Sequence, residues 1–317
     1  MNKLPVPLFT DGSNKSYVIG HKDLDGCNGV QVCFRWLKEQ FGLDHFVDFK
    51  GATYEYVNQL AEEIFKESDD YRYIFIVDIS ISEELLAKLP KNCFIFDHHS
   101  TSKYLNNNLQ CYWKEGHCGS VVAWMSLFPG KTPPPAFGKL MSLCNTYDMW
   151  QIDSPRFKQA QDLNVLQMKY GYQEFFEKFY DGFTEFTKAE EKIISDHWRG
   201  QNEAIKNCDI LEYGDIITLI IMNDNKLDPN YWMNKYILDG KLASIVYYPN
   251  SIRISLRINR CLTDKFHAGY FLKNNVKNNN NSKGGHDLAG GCSVEGMTVD
   301  EILELGNVLH KDLEKIQ

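Results

Sequence analysis

The sequence predicts an α/β protein in two parts. An N-terminal domain with a mostly parallel, doubly wound sheet is followed by a smaller C-terminal α/β domain, and a helical linker joins them. Three observations predict this. Apolar strand-like runs alternate with helix-like segments through the first hundred residues, which is the pattern of a parallel sheet covered on both faces. Residues 119 to 206 then read as helical. Beyond them strand-like runs return, two of them separated by a Pro249-Asn250 turn signal. A chain of 317 residues is long enough for two cores. The expected limits are 1–185 for the first domain, 186–207 for the linker and 208–317 for the second domain.

Taken in order, Ser16 to Gly20 reads as a strand and Gly29 to Gln40 as a helix. His45 to Lys50 is a second strand and Tyr54 to Lys66 a helix. Tyr73 to Val77 is a third strand, Ser82 to Leu89 a short helix, and Cys93 to Phe96 a fourth strand. The helical stretch from Gly119 is broken at Pro129 and at Pro133-Pro134-Pro135. A long polar helix, Thr184 to Lys206, is the expected linker. Strands follow at Ile216 to Met222, Ala243 to Tyr248 and Ser251 to Ile258, and a helix from Val299 to Lys315 closes the chain. Asn274 to Asn281 is asparagine-rich and reads as a loop.

Composition narrows the function classes. No apolar run approaches the roughly 20 residues of a membrane span, and the first residues lack the apolar centre of a signal peptide. Nine cysteines without Cys-x-x-Cys spacing are expected to be reduced thiols in a cytoplasmic protein, not a thiolate zinc site. The formal net charge of −8 argues against broad binding to duplex DNA. Charge is uneven, however. Residues 241–290 hold eight Lys or Arg against two acids, a local +6, and leave −14 on the remainder. That segment is either a holder of a small anionic ligand or a solvated basic face.

The chemistry-bearing residues fall where the strand-like runs end. Asp97-His98-His99 follows the run Cys93 to Phe96. Open α/β sheets build their sites at such carboxyl ends. Alternation along a strand predicts that the two imidazoles point to opposite faces, one toward a metal and one toward a substrate. The first strand ends in His21-Lys22-Asp23-Leu24-Asp25-Gly26, the third in Asp78, and the helical stretch supplies Asp148. A single aspartate at a strand end is commonly a helix cap, and Asp78 before Ser80 and Ser82 has that reading too. Several on one sheet edge would repel and raise one another's pKa values, a charge that two divalent cations would cancel. Oxygen-rich ligation with some imidazole suits Mn²⁺, with Mg²⁺ as the alternative. Two such ions about 4 Å apart deprotonate a bridging water and neutralise phosphoryl oxygens. Asp78, on a central strand, is the candidate bridge.

In this order these motifs resemble those of the DHH phosphoesterases, and the resemblance continues to the end of the basic segment. Ser255-Leu256-Arg257 and Gly284-Gly285-His286-Asp287-Leu288-Ala289-Gly290-Gly291 are similar to the arginine strand and glycine-rich loop of the DHH-associated C-terminal domain. The resemblance covers residues 16 to 296. The tight His-x-Asp-x-Asp-Gly spacing is closer to nanoRNases of the NrnB type and archaeal RecJ-like proteins than to the NrnA type. Lys283 stands where that loop has its first glycine, and Gly290 where it has an alanine.

The resemblance implies roles. His21 and Asp23 would hold one metal; Asp25, His98 and Asp148 the other; Asp78 would bridge. Asp97 would orient His98, and His99 would face the scissile phosphate. Asp78, His98 and His99 are thus the expected catalytic centre. Arg257, Lys283, Gly284, Gly285 and His286 would join His99 in binding substrate; the alternative for Gly284-Gly285 is a flexible turn. Tyr112, Trp113 and Trp150 either stack on a base or pack in the core. His117 and His267 read as ordinary polar residues. The expected activity is metal-dependent hydrolysis of short single-stranded oligonucleotides by a monomer or homodimer. Alternatives are a phosphatase of 3′-phosphoadenosine 5′-phosphate, a phosphodiesterase of cyclic or linear dinucleotides, and a catalytically silent nucleotide-binding protein.

Overall fold

The computed structural model describes residue 8 and residues 13–222, 227–276, 284–285 and 288–316. The chain divides into two compact units, residues 1–194 and 195–317.

The first unit is built on five parallel strands. They are β1 (Lys15–His21), β2 (Phe46–Ala52), β3 (Ile74–Val77), β4 (Cys93–Asp97) and β5 (Cys111–Trp113), in the order β2-β1-β3-β4-β5. Helices α1 (Leu24–Phe41), α2 (Val57–Lys66) and α3 (Glu83–Leu86) connect the first four strands. Alternation along β3 sorts its two faces. Ile74 and Ile76 pack in an aliphatic cluster with Leu60, Ala61 and Ile64 of α2. Tyr73 and Phe75 meet Trp36 of α1 edge-on, with ring centroids 5.2 and 5.7 Å away. Helices therefore cover both faces, which is why β3 and β4 are buried along their whole lengths. Gly29 brings α1 against β3: a Cβ there would come within 2.4 Å of Val77 Cγ2. The strand order reverses direction between β1 and β3. The carboxyl ends of these two strands are the switch point at which ligands bind in sheets of this order.

Helices α4 (Gly119–Leu127), α5 (Pro135–Asp148), α6 (Phe157–Lys178) and α7 (Lys188–Ala204) follow. The proline run ends no helix; it starts one, with Pro135 in the first turn of α5, where a missing N–H costs nothing. Gly171 at φ 75° kinks α6, a break the sequence pattern does not announce. Nor does it announce β5, three residues long, whose identity comes from its ladder to β4 rather than from local pattern.

The second unit holds β6 (Asp209–Tyr213), β7 (Ile217–Ile221), α8 (Pro229–Leu238), β8 (Ala243–Tyr248), β9 (Arg253–Ile258), α9 (Ala268–Asn275), β10 (Gly284–Gly285), β11 (Ala289–Ser293) and α10 (Val299–Glu314). Its strands lie in the order β10-β11-β9-β8-β7-β6, antiparallel except for β7 beside β8. Ile245, Tyr247 and Leu256 pack on one face with residues of α9 and α10. Val246 and Ile220 pack on the other with Trp232 and Met233 of α8. A reciprocal pair starts α10: Thr298 Oγ1 accepts from the Glu301 N–H, and the Glu301 carboxylate accepts from the Thr298 N–H.

The glycine-rich segment corrects an expectation. It is not all loop: Gly284 and Gly285 pair antiparallel with Gly291 and Gly290. A Cβ at Gly290 would lie 2.9 Å from Leu272 Cδ1 of α9, so an alanine there would need that leucine side chain to shift.

Candidate metal centre

His21 is the last residue of β1, and two residues on Asp23 caps α1, accepting from the Gly26 N–H at 2.9 Å. Asp25 lies in the first turn of α1 and is buried. Its carboxylate accepts from Ser120 Oγ at 2.5 Å and from the Ser120 N–H at 3.2 Å, so the N-terminus of α4 neutralises part of its charge. Asp78 directly follows β3, fully buried, at φ 60°. An aspartate in that left-handed region is uncommon and held by its surroundings. Here the Asp78 N–H donates to Phe96 O at 2.8 Å, and the missing Cβ of Gly119 leaves it space. Asp148 is the last residue of α5, and Asn145 one turn earlier accepts from the Cys118 N–H at 3.0 Å, tying α5 to the start of α4.

The two oxygens of Asp78 face different partners. Oδ2 lies 3.6 Å from His21 Nδ1, which is itself 2.7 Å from Asp23 Oδ2. Oδ1 lies 3.3 Å from His98 Nε2, which is 3.3 Å from Asp148 Oδ2. Ligand atoms of His21, Asp23 and Asp78 lie within 4.8 Å of one another, and so do those of Asp25, His98 and Asp148. Both Asp78 oxygens, His98 Nε2 and Asp148 Oδ2 are buried and make no well-directed hydrogen bond among the described residues, their ion-pair contacts being 3.3–3.6 Å. Polar atoms buried in this way are costly unless something coordinates them. Convergent carboxylate and imidazole lone pairs therefore fit a pair of hard or borderline divalent cations.

Electrostatics point the same way. Burial, with the charges of Asp25 and Asp23, pushes the Asp78 carboxyl well up from its usual range. Burial and Asp25 do the same to Asp148. Burial opposes charge on His21, but Asp23 and Asp78 outweigh it and hold its pKa at about 11. For Asp23, His21 outweighs burial and lowers it to about 2.

Two expectations about the Asp97-His98-His99 triplet are corrected. Asp97 orients His99, not His98: its Oδ1 accepts from the His98 N–H at 2.7 Å and lies 2.7 Å from His99 Nδ1. Burial disfavours charge on Asp97, yet the bond to His99 holds its pKa below the usual range. The two imidazoles do not point to opposite faces either. Strand β4 ends at Asp97, so alternation no longer applies, and the rings sit side by side with centroids 4.3 Å apart.

Three contributors are hidden from sequence reasoning. Ser120 supports Asp25, Gly119 makes room for Asp78, and Tyr54 places its hydroxyl 3.1 Å from His99 Nε2. Tyr54 has one legible signal, its position just beyond the carboxyl end of β2. Among the aromatic candidates, Tyr112 is buried and stacked on Phe96, while Trp150 packs on Tyr147 and Phe157. Trp113 takes neither expected role alone: its Nε1–H donates to His99 O at 2.8 Å. In the second unit, Arg257 on β9 stands opposite Ala289 of β11 and donates to Asn230 Oδ1 at 3.0 Å. Gly284 and Gly285 form β10. Lys283 and His286 lie outside the described residues.

No protein-family model matches the chain, and no curated protein matches it in sequence. Solved structures do. RecJ from Thermus thermophilus in complex with Mn²⁺ is similar at a TM-score of 0.61 and 15% identity, over 94% of this chain and 51% of that one. The DHH domain of a protein assigned to a family of ribosomal proteins is similar at 0.60 and 14%, over 94% and 87%. CDC45 from Entamoeba histolytica is similar at 0.54 and 9%, over 94% and 95%. This chain thus spans about half of the RecJ chain. The common element is the fold of the DHH-domain proteins, and this chain has that fold.

Proposed function

We propose that this protein is a metal-dependent phosphoesterase that hydrolyses short single-stranded oligonucleotides. The observation that carries the reading is Asp78, whose two oxygens each face a separate His/Asp cluster at 3.3–3.6 Å without a well-directed hydrogen bond among the described residues. Support comes from the fold, since RecJ was solved with Mn²⁺ and with Mg²⁺, and a related structure is of exonuclease RecJ bound to manganese. His21, Asp23 and Asp78 would hold one ion, and Asp78, Asp25, His98 and Asp148 the other. When bound, such a pair supplies a water of lowered pKa and neutralises charge on a phosphoryl group.

The protein's own residues supply position. Asp97 holds His99 through Nδ1, so that Nε2 would be the nitrogen that meets a phosphate oxygen of the substrate. Arg257 would fork onto a second anionic group of the substrate. The charge of −8 disfavours long polyanions and favours short ones.

The test is a panel of di- to decanucleotides of RNA and DNA, 3′-phosphoadenosine 5′-phosphate and cyclic dinucleotides, offered with Mn²⁺. Initial rates should be highest on the shortest RNAs and absent in Asp78→Ala. Arg257→Ala should mainly raise KM. Negligible rates across the panel, or full activity in Asp78→Ala, would sink the reading.

A further inference from the structure

We propose that Tyr54 is a positioning residue: its hydroxyl occupies the place of a substrate phosphate oxygen on His99 and gives it up when substrate arrives. The proposal rests on the phosphoesterase reading above and adds a residue to the same site. Asp97, His99 and Tyr54 form a chain, with Asp97 Oδ1 2.7 Å from Nδ1 and the Tyr54 hydroxyl 3.1 Å from Nε2. The imidazole is held at its backbone too, where Trp113 donates to its carbonyl. Fixing a mostly buried imidazole at both ring nitrogens and at its backbone leaves it one orientation.

A ring nitrogen forms one hydrogen bond in the ring plane. The Tyr54 hydroxyl and a phosphate oxygen therefore cannot both hold Nε2. A hydroxyl donates or accepts, so Tyr54 can occupy Nε2 while the site waits. Tyr54 is 51% exposed and sits in the turn after β2, where Thr53 O accepts from the Tyr56 and Val57 N–H groups and holds the turn without it. Its ring also lies against His21, centroids 5.0 Å apart, so it stands beside both the metal ligands and the phosphate-facing imidazole.

Tyr54→Phe keeps the ring and removes the competitor. In Mg²⁺-loaded protein, adenosine 5′-monophosphate measured by calorimetry should bind about fivefold tighter to Tyr54→Phe, the worth of one ordinary hydrogen bond. The gain should vanish in a His99→Ala background, closing a double-mutant cycle. A purely structural tyrosine would predict weaker binding or none of this coupling. In ligand-free protein with labelled histidine, the His99 Nε2 nitrogen resonance should move in Tyr54→Phe. Unchanged or weaker nucleotide affinity, a gain that survives loss of His99, an unmoved resonance, or no nucleotide binding in either protein would each overturn the proposal. If nucleotide binding shows the Tyr54 coupling but no phosphoester is hydrolysed, the phosphoesterase reading fails and the role of Tyr54 at a phosphate site stands.

Discussion

Gly119 lies so close to Asp78 that a Cβ at position 119 would come within 2.6 Å of Asp78 Cβ. The atoms met are Cβ and Cα of Asp78, which no side-chain rotation can move, at the first residue of α4 and just after β3. Nothing flexible is available to give way. Gly119→Ala should therefore move Asp78 or α4, costing about 1–3 kcal/mol of stability as other overpacking does. It should also lower Mn²⁺ affinity at least tenfold, because both oxygens of the bridge candidate would shift. Calorimetric titration with Mn²⁺ and urea denaturation of the metal-free protein check this. Wild-type affinity in a folded Gly119→Ala protein would show that Asp78 need not sit where it does.

Ser120 gives Asp25 two hydrogen-bond donors. Bonds to a charged group are worth about 1.5–3 kcal/mol each, and residues that support a ligand typically change metal affinity about 10–100-fold. Ser120→Ala removes the hydroxyl and keeps the N–H. It should weaken metal binding toward the lower end of that range while leaving Tm of the metal-loaded protein within a few degrees. Unchanged affinity would mean that Asp25 is held by the helix N-terminus alone.

What is legible in the sequence follows from where strands end. His21, Asp78 and Asp97-His98-His99 each sit at or directly after a strand, and the structure gathers their side chains at one sheet edge. Asp148 comes less directly, from a helix end. What stays hidden depends on contacts between distant segments. Ser120 is 95 residues from Asp25, and Tyr54 is 45 from His99. The directions of His98 and His99 are misread from sequence when the alternation rule is carried past the end of β4 at Asp97. The pairing of Gly284-Gly285 escapes because glycine has little strand preference of its own, so the ladder to β11 decides.

Metal binding should depend on pH with a definite sign. In the metal-free protein, Asp78 and Asp148 have pKa values raised above the unfolded value and His21 is raised to about 11. Raised values mean that the native state holds extra protons. The stability this brings is present at low pH and lost as pH rises through the folded values. Cations displace the same protons, so the metal-induced rise in Tm should grow from about pH 5 to about pH 8. Thermal melts with and without Mn²⁺ across that range read it directly. A rise in Tm independent of pH would contradict proton–metal competition at this cluster.

His45 provides the opposite sign, far in sequence from the candidate ligands of β3, β4 and α5. It is fully buried, with Nε2 2.8 Å from Ser16 Oγ and Nδ1 3.2 Å from Asn14 Oδ1. The Asn14 amide donates to Asp44 O, so its Oδ1 is the atom that accepts from the Nδ1–H, and the Ser16 hydroxyl donates to Nε2. The bond from the Ser16 hydroxyl needs the neutral ring, because a protonated imidazole has no acceptor nitrogen. Burial, then Arg72 and Lys38, lower the pKa of His45 to about 4. A depressed value makes its contribution to stability complete above the unfolded pKa of 6.5 and lost as pH falls through about 4. Wild-type stability in urea should therefore fall as pH drops across that window. His45→Gln, which stays neutral, should lose part of that slope even though it is less stable at neutral pH. Parallel slopes in the two proteins would show that His45 does not resist protonation in the folded state.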